Sequence, residues 1–289
     1  MMIKDIYQKG KTVFSFEVFP PKRNDDIYDI YRTLDQLKTL NPDFISVTYG
    51  AGGSNSKKTA TIASYIQNIC EIEAIAHMTA VSMNQDTLLH FLDGLRQKGV
   101  CNVLALRGDR PRDMSDEDYN NRTFLHASDI IKVIHSHSDL CVAAACYPEI
   151  HPESANRADD LHYLKEKVDA GVNFLLTQMF FNNEKFYEFR ALADKEGIHI
   201  PISAGIMPIT SAKQLGTSVS LSGTSVPPAL SSMVAKYAES PEDLRKAGLD
   251  YAINQINDLI ANDVDGIHIY TMNNASTASY IMKHIIKKS

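Results

Sequence analysis

Short apolar runs rich in β-branched residues alternate with longer stretches of helical period along this chain, and that alternation restricts the fold more than any single motif does. Parallel strands joined by crossover helices leave this signature, since each crossover must return the chain to the same end of the sheet. The strand-like runs are Val13 to Phe19, Phe44 to Tyr49, Ala74 to Ala80, Asn102 to Arg107, Cys141 to Cys146, Phe174 to Met179, Ile200 to Ala204 and Ile267 to Tyr270. Helical period fills Asp26 to Leu40, Lys57 to Ile69, Gln85 to Lys98, Ala127 to Ser136, Arg157 to Ala170, Asn183 to Lys195, Ser211 to Ser220 and Ala275 to Ile286. Eight of each in strict alternation predict an α/β protein built as a closed (β/α)8 TIM barrel. Before the eighth strand, Pro227-Pro228 is followed by helical pattern over 229–237 and 241–261, which reads as inserted helices without a core of their own. All 289 residues therefore read as a single catalytic domain.

An open doubly wound sheet is the alternative, but it carries a dinucleotide on a G-x-G-x-x-G turn after its first strand, and none is present. The one glycine cluster, Tyr49-Gly50-Ala51-Gly52-Gly53, follows the second strand with the wrong spacing and reads as a tight turn.

With 29 basic and 35 acidic residues, a net charge of -6 and no long run of either sign, the chain lacks the footprint of a nucleic-acid binder. Neither a signal peptide nor a membrane-spanning run is legible, so the expected location is cytoplasmic. Cys70, Cys101, Cys141 and Cys146 form no C-x-x-C pair, and three of them sit in apolar runs, which predicts reduced core thiols and no metal site. His135-Ser136-His137 has metal-like proximity but no acidic or cysteine companion, and reads as a solvated loop.

A barrel of this kind builds its site at the carboxyl ends of its strands. In Phe14-Ser15-Phe16-Glu17-Val18-Phe19, period-two alternation sets Ser15 and Glu17 on one face, so Glu17 points into the barrel. Desolvation there predicts a raised carboxyl pKa, suited to a proton donor; spacing alone equally allows a salt bridge to Lys22 or Arg23. Other strands end Ser46-Val47-Thr48, Ala76-His77-Met78-Thr79, Leu106-Arg107-Gly108-Asp109, Cys146-Tyr147-Pro148-Glu149-Ile150-His151 and Leu176-Thr177-Gln178. Convergent polar ends of this number call for a ligand or partners, because unpaired polar groups in a barrel interior are costly. After the fifth strand, Asp160, Tyr163 or Leu164, and Lys167 share one helical face. That face suits a ribose hydroxyl and a phosphate, or else an ion-pair lattice facing solvent.

Taken together, FSFEVFPPK (14–22), ISVTYG (45–50), HMT (77–79), ALRGDRP (105–111), YPEIHPE (147–153), KVDAG (167–171), TQMFF (177–181) and GIMP (205–208) resemble the bacterial-type methylenetetrahydrofolate reductases, in that family's order and over almost the whole chain. The resemblance implies FAD bound without a Rossmann domain, NADH or NADPH as reductant and 5,10-methylenetetrahydrofolate as substrate. It also implies ping-pong hydride transfer through flavin N5, a role in supplying methyl groups for methionine synthesis, and a homo-oligomer. Glu17 resembles the family's general acid and Asp109 the aspartate near flavin and pterin. Gln178 and Gln214 resemble substrate contacts. Thr48, His77, Arg107, Gly108, Asp109, Ala127, Tyr147, His151, Asp160 and Lys167 match positions that line FAD.

Three departures stand out. Asn274 occupies a position where the resemblance leads one to expect an arginine contacting substrate. The stretch after Gln214 lacks a stacking aromatic, for which Leu221 or Tyr237 are the substitutes in reach. His126 replaces an aromatic beside the cofactor. The rival reading is a flavin-free (β/α)8 lyase or aldolase using Glu17 and Asp109 as an acid/base pair.

Overall fold

The computed structural model describes residues 1–7, 11–21, 27–49, 56–111 and 113–286. Eight parallel strands close into a barrel: β1 (Val13–Val18), β2 (Phe44–Val47), β3 (Glu73–Thr79), β4 (Asn102–Leu106), β5 (Cys141–Cys146), β6 (Phe174–Thr177), β7 (Ile202–Ile206) and β8 (Gly266–Tyr270). Each strand pairs with its neighbours in sequence, and β8 returns to β1 with Ser15 opposite His268 and Glu17 opposite Tyr270. Around it lie α1 (Ile27–Lys38), α2 (Ser56–Asn68), α3 (Gln85–Gln97), α4 (Asp116–Asn120), α5 (Ala127–His137), α6 (Arg157–Asp169), α7 (Asn183–Lys195), α8 (Ala212–Ser222), α9 (Pro228–Lys236), α10 (Pro241–Ala261) and α11 (Ala275–His284).

Alternation along each strand divides the apolar residues between two cores. Phe16 and Val18 of β1 join the layer between barrel and helices, with Leu34, Ile62, Ile130 and Ile281. Val13, Phe44, Ile75, Leu104, Cys141 and Phe174 fill the lower barrel interior, where Ile3 of the chain's first turn (Ile3–Asp5) enters as a plug. The plug is anchored by the Ile3 N–H to Asn102 Oδ1 at 2.8 Å and by a 2.9 Å hydrogen bond between the Tyr7 and Ser203 hydroxyls. The floor is thus closed by chain, and the open end of the barrel is the carboxyl end.

The expected strands and helices appear, with shifted ends. β7 starts at Ile202 rather than Ile200, since Pro201 has no N–H to give the ladder. β2 and β6 stop at Val47 and Thr177, although the Thr48 and Gln178 N–H groups still reach the Val18 and Cys146 carbonyls of the neighbouring strands at 3.0 and 2.8 Å. α4 was not anticipated; Ser115 caps it by accepting the Asp118 N–H at 3.0 Å. α9 and α10 are the inserted helices, each opening on a proline at its first turn.

His135 and His137 correct the loop reading: both lie in α5, with His135 Nε2 2.9 Å from the Gly171 carbonyl oxygen and His137 Nε2 3.2 Å from Asp93 Oδ1. All four cysteines are free thiols, buried except for the half-buried Cys101. Burial raises the Cys70 and Cys141 thiols to about 11, which suppresses thiolate chemistry. Among the described residues, no helix is long and apolar enough to cross a membrane.

Candidate active site

Glu17 stands at the mouth end of β1 with its side chain turned inward, as alternation predicts. Its Oε2 is 3.5 Å from His77 Nε2, 3.5 Å from His268 Nε2 and 3.5 Å from Ser46 Oγ. β1, β2, β3 and β8 each contribute one of these four side chains, so the constellation exists only once the barrel has closed. Lys22 and Arg23, the alternative partners of Glu17, lie outside the described residues, as do residues 50–53 of that glycine cluster.

The expectation of a raised Glu17 pKa is corrected. Burial alone lifts the carboxyl, but the His268 hydrogen bond, the charges of His77 and His268 and the Ser46 hydroxyl outweigh it and hold the group below its ordinary value. Burial pushes the His77 imidazole down to about 4. An imidazole with that value is uncharged at neutral pH. His77 Nε2 is buried and makes no hydrogen bond. An unsatisfied polar atom beside a carboxylate, at the end of a barrel strand, fits a site that a polar ring is meant to complete.

The expected cofactor-lining residues lie on or just after β2 to β5 and on α5 and α6. Thr48 is half-buried just past β2, with its N–H on the Val18 carbonyl at 3.0 Å. Arg107 Nη2 donates to Glu153 Oε1 at 2.7 Å, and its Nη1 meets the other carboxylate oxygen. Gly108 has φ +83, and a Cβ there would fall 2.7 Å from Thr79 Cβ, so the turn after β4 requires glycine. Tyr147 packs edge-on against His151, centroids 4.6 Å apart. Burial and the Asp109 charge push the Tyr147 hydroxyl up to about 12, while burial and Arg107 lower His151.

On α6, Asp160 accepts from Ser154 Oγ at 3.2 Å with its side chain only 11% exposed. Lys167 reaches inward to the Ala145 carbonyl at 2.5 Å, and burial lowers its pKa. Leu164 is the buried member between them and Tyr163 is exposed, so this face is turned to the barrel and is no solvated ion-pair lattice. Tyr163 instead stacks on His126, centroids 5.7 Å apart and 18° from parallel, next to Ala127 at the start of α5. Asp109 is exposed on the loop after β4, and no hydrogen bond or ion pair joins it to Glu17.

These donors suit a flavin dinucleotide: a buried unpaired imidazole nitrogen for the ring, stacked aromatics for flat surfaces, and an inward lysine and an arginine for phosphate oxygens. The sequence profile described as methylenetetrahydrofolate reductase matches residues 2–286. The chain is 33% identical over 294 residues to "Methylenetetrahydrofolate reductase (NADH) 1" of Arabidopsis thaliana, covering 98% of this chain and 50% of that protein. It is 31% identical over 278 residues to the 5,10-methylenetetrahydrofolate reductase of Escherichia coli (strain K12), covering 96% of this chain and 92% of that one. The chain belongs to the methylenetetrahydrofolate reductase family.

It therefore spans about half of the plant relative and nine-tenths of the bacterial one. Among solved structures, an uncharacterized protein from Clostridium thermocellum that binds two copies of 5-methyl-5,6,7,8-tetrahydrofolic acid superposes with a TM-score of 0.63 at 14% identity, over 97% of this chain and 95% of that one. A 2,3-dimethylmalate lyase superposes at 0.53 with 11% identity, over 97% and 82%. Likeness at such identities reports the shared barrel alone.

The residues expected on the substrate side are placed as follows. Gln178 uses its carboxamide oxygen on the Met179 N–H at 2.9 Å. Gln214 is fully engaged in the loop after β7: its Oε1 accepts from Thr210 N–H and Oγ at 2.9 Å each, and its Nε2 donates to the Pro208 carbonyl at 2.9 Å. Asn274 is the N-cap of α11, its Oδ1 accepting the Thr277 N–H at 3.0 Å. Leu221 is 76% exposed and Tyr237 caps the end of α9.

Sequence reasoning overlooked His268 and Tyr270 beside Glu17, and named Ser46 only among the polar strand ends. Alternation along β8 was the available signal, since Gly266, His268 and Tyr270 fall on one face. Gly205 of β7 makes room for that face: a Cβ there would sit 2.7 Å from the Tyr270 hydroxyl oxygen, which donates to the Thr177 carbonyl at 2.7 Å.

Proposed function

We propose that the protein reduces 5,10-methylenetetrahydrofolate to 5-methyltetrahydrofolate with FAD as cofactor and NADH or NADPH as reductant. The observation that carries this reading is Glu17, held inside the mouth by His77, His268 and Ser46, in a chain that matches the reductase family over nearly its whole length. Thr48, His77, Arg107, Gly108, Ala127, Tyr147, His151, Asp160 and Lys167 would hold the FAD. When bound, FAD supplies a hydride carrier that accepts from the nicotinamide and gives to the folate in alternating half-reactions.

The chain's own residues prepare the folate. Glu17 protonates a nitrogen of the imidazolidine ring, so that the ring opens to an iminium carbon able to accept hydride. Asp109 places a negative charge over that cation. Gln178 orients the pterin; Gln214 does so only by exchanging the loop hydrogen bonds it makes in this structure. The plant relatives carry NADH in their names, which favours NADH here. The product places the reaction ahead of a methyl transfer to a thiol such as the one that yields methionine. One closed barrel running from Val13 to Tyr270 supports a single catalytic domain.

An absorption spectrum of the purified protein, followed under anaerobic conditions, tests the reading. Flavin bands that bleach with NADH and return on adding methylenetetrahydrofolate are the expected result. A protein that stays colourless after reconstitution with FAD would overturn the cofactor assignment, and bleached bands that the folate leaves unchanged would overturn the substrate.

A further inference from the structure

Resting on the folate reading, the chemistry of the product fixes what must lie beside Glu17. The methyl group of 5-methyltetrahydrofolate stays on N5, so the bond that breaks is the one from the methylene carbon to N10. N10 is then the nitrogen that Glu17 protonates, and it also carries the aminobenzoyl ring. With N10 in hydrogen-bond reach of the carboxyl, that ring has to rest about 4–7 Å from Glu17.

Phe19 is the apolar residue at that distance. It comes two positions after Glu17, and the rise along an extended chain sets it about 7 Å further toward the open end of the barrel. Alternation places it on the side of Ser15 and Glu17, away from the helix layer that buries Phe16 and Val18. Its ring is 37% exposed, although Val18 before it and Pro20 after it are both buried.

The loop after β8 fixes Phe19 and adds a second apolar group. Thr271 donates its hydroxyl to the Glu17 carbonyl at 2.7 Å, and the Asn273 carboxamide holds the Phe19 N–H and carbonyl at 3.0 and 2.9 Å. Between these two anchors Met272 is 49% exposed and has φ 53. Asparagine enters that region readily, as Asn273 does at φ 55, whereas methionine does so at a cost. Backbone strain that holds an apolar side chain in water opposes folding, and beside a proton donor it points to a ligand.

We propose that Phe19 and Met272 form the apolar surface that receives the aminobenzoyl ring of the folate. A phenyl ring and a polarizable thioether both suit a flat aromatic partner, and they supply from β1 and β8 what the stretch after Gln214 lacks. The alternatives are less well placed. Leu221, on α8, has no ring, and the ring of Tyr237 has the Lys236 ammonium over it at 4.9 Å. Because one loop binds the backbone of both Glu17 and Phe19, seating the benzoyl ring also sets N10 opposite the carboxyl.

Stopped-flow reoxidation of the NADH-reduced holoenzyme by methylenetetrahydrofolate tests the surface. Phe19→Ala is expected to raise the half-saturating folate concentration at least about tenfold, and Phe19→Tyr, which keeps a ring, to stay within about threefold of wild type. Reduction of the flavin by NADH should be unchanged in both. Met272→Gly removes the side chain and the strain together, so it should keep or raise the urea midpoint while weakening folate saturation. That pairing separates a lost contact from a disturbed fold, and it serves should Phe19→Ala fold poorly. Unchanged folate saturation in Phe19→Ala and Met272→Gly would overturn the proposal. Equal losses in both half-reactions would do the same by showing a general disturbance of the mouth, and a loss confined to the nicotinamide half-reaction would give the surface to the reductant instead. A wild-type flavin that NADH reduces and the folate leaves reduced would overturn the substrate reading, and the proposal with it.

Discussion

Asn273 grips the backbone of Phe19 from both sides: its Oδ1 accepts the Phe19 N–H at 3.0 Å, and its Nδ2 donates to the Phe19 carbonyl at 2.9 Å. This clamp ties the loop after β8 to the end of β1, two residues beyond Glu17. It also holds Met272 and Asn273 at φ 53 and 55, a conformation that side chains other than glycine adopt at a cost. Asn273→Ala removes both hydrogen bonds and leaves the strained backbone unsupported, so a loss of about 2–3 kcal/mol is expected. Urea unfolding measures it, and an unchanged midpoint would show that the clamp contributes nothing.

Replacing the proton donor separates the two halves of the reaction. Glu17→Gln should cut folate reduction by about 10²–10⁴-fold while leaving a flavin that the nicotinamide still bleaches. Stopped-flow absorbance follows each half. A comparable loss in both halves would make Glu17 a residue of the cofactor site.

His77 makes the fold sensitive to acid. Its imidazole is depressed from 6.5 to about 4, so as pH falls through that interval the unfolded chain gains a proton that the folded chain refuses. Stability present above pH 6.5 is therefore lost on the way to pH 4, by about 3 kcal/mol for a shift of that size. Glu17, whose folded value is also lowered, adds to the loss below its unfolded value of 4.5. Denaturant titrations across the interval should show His77→Asn losing less stability than the wild type. Equal slopes would mean that His77 is protonated in the folded state.

Gly108→Ala places a methyl group where Thr79 already lies and forces φ +83 on alanine. Destabilisation by about 1–3 kcal/mol is expected from strain and clash together. A double-mutant cycle with Thr79→Gly isolates the clash; a coupling near zero would assign the whole effect to the backbone.

Lys167 sends its ammonium inward to a carbonyl of β5. Lys167→Met keeps the length and apolar bulk of the side chain, so stability should change by no more than about 1 kcal/mol. FAD affinity of the apoprotein, read by fluorescence quenching, should fall at least about tenfold with the loss of one charge-assisted contact. A large loss of stability with unaltered FAD affinity would make Lys167 a structural brace.

The barrel was legible because each strand follows one period and each helix another, and the closure follows from their number. Strand ends were less legible, since they depend on local chemistry such as the missing N–H of Pro201. Glu17 could be placed on an inward face from Ser15 and Phe16 alone, but the direction of its pKa could not. That direction depends on His77 and His268, which are distant in sequence and meet Glu17 only across closed strands. The engagement of Gln214 with Thr210 and Pro208 was hidden for a similar reason, because a side-chain amide shows its type in sequence but not its partners.

The plug formed by Ile3 and Tyr7 bears on the order in which the chain is made. Its socket is lined by residues running from Val13 to Phe174 and Leu176, and the Tyr7 partner Ser203 comes later still. This turn is made before the strands that form its socket, so it is among the last elements of the barrel to find its place and waits until six strands exist. A chaperone that shields short apolar segments of nascent chains would have a long opportunity at that turn.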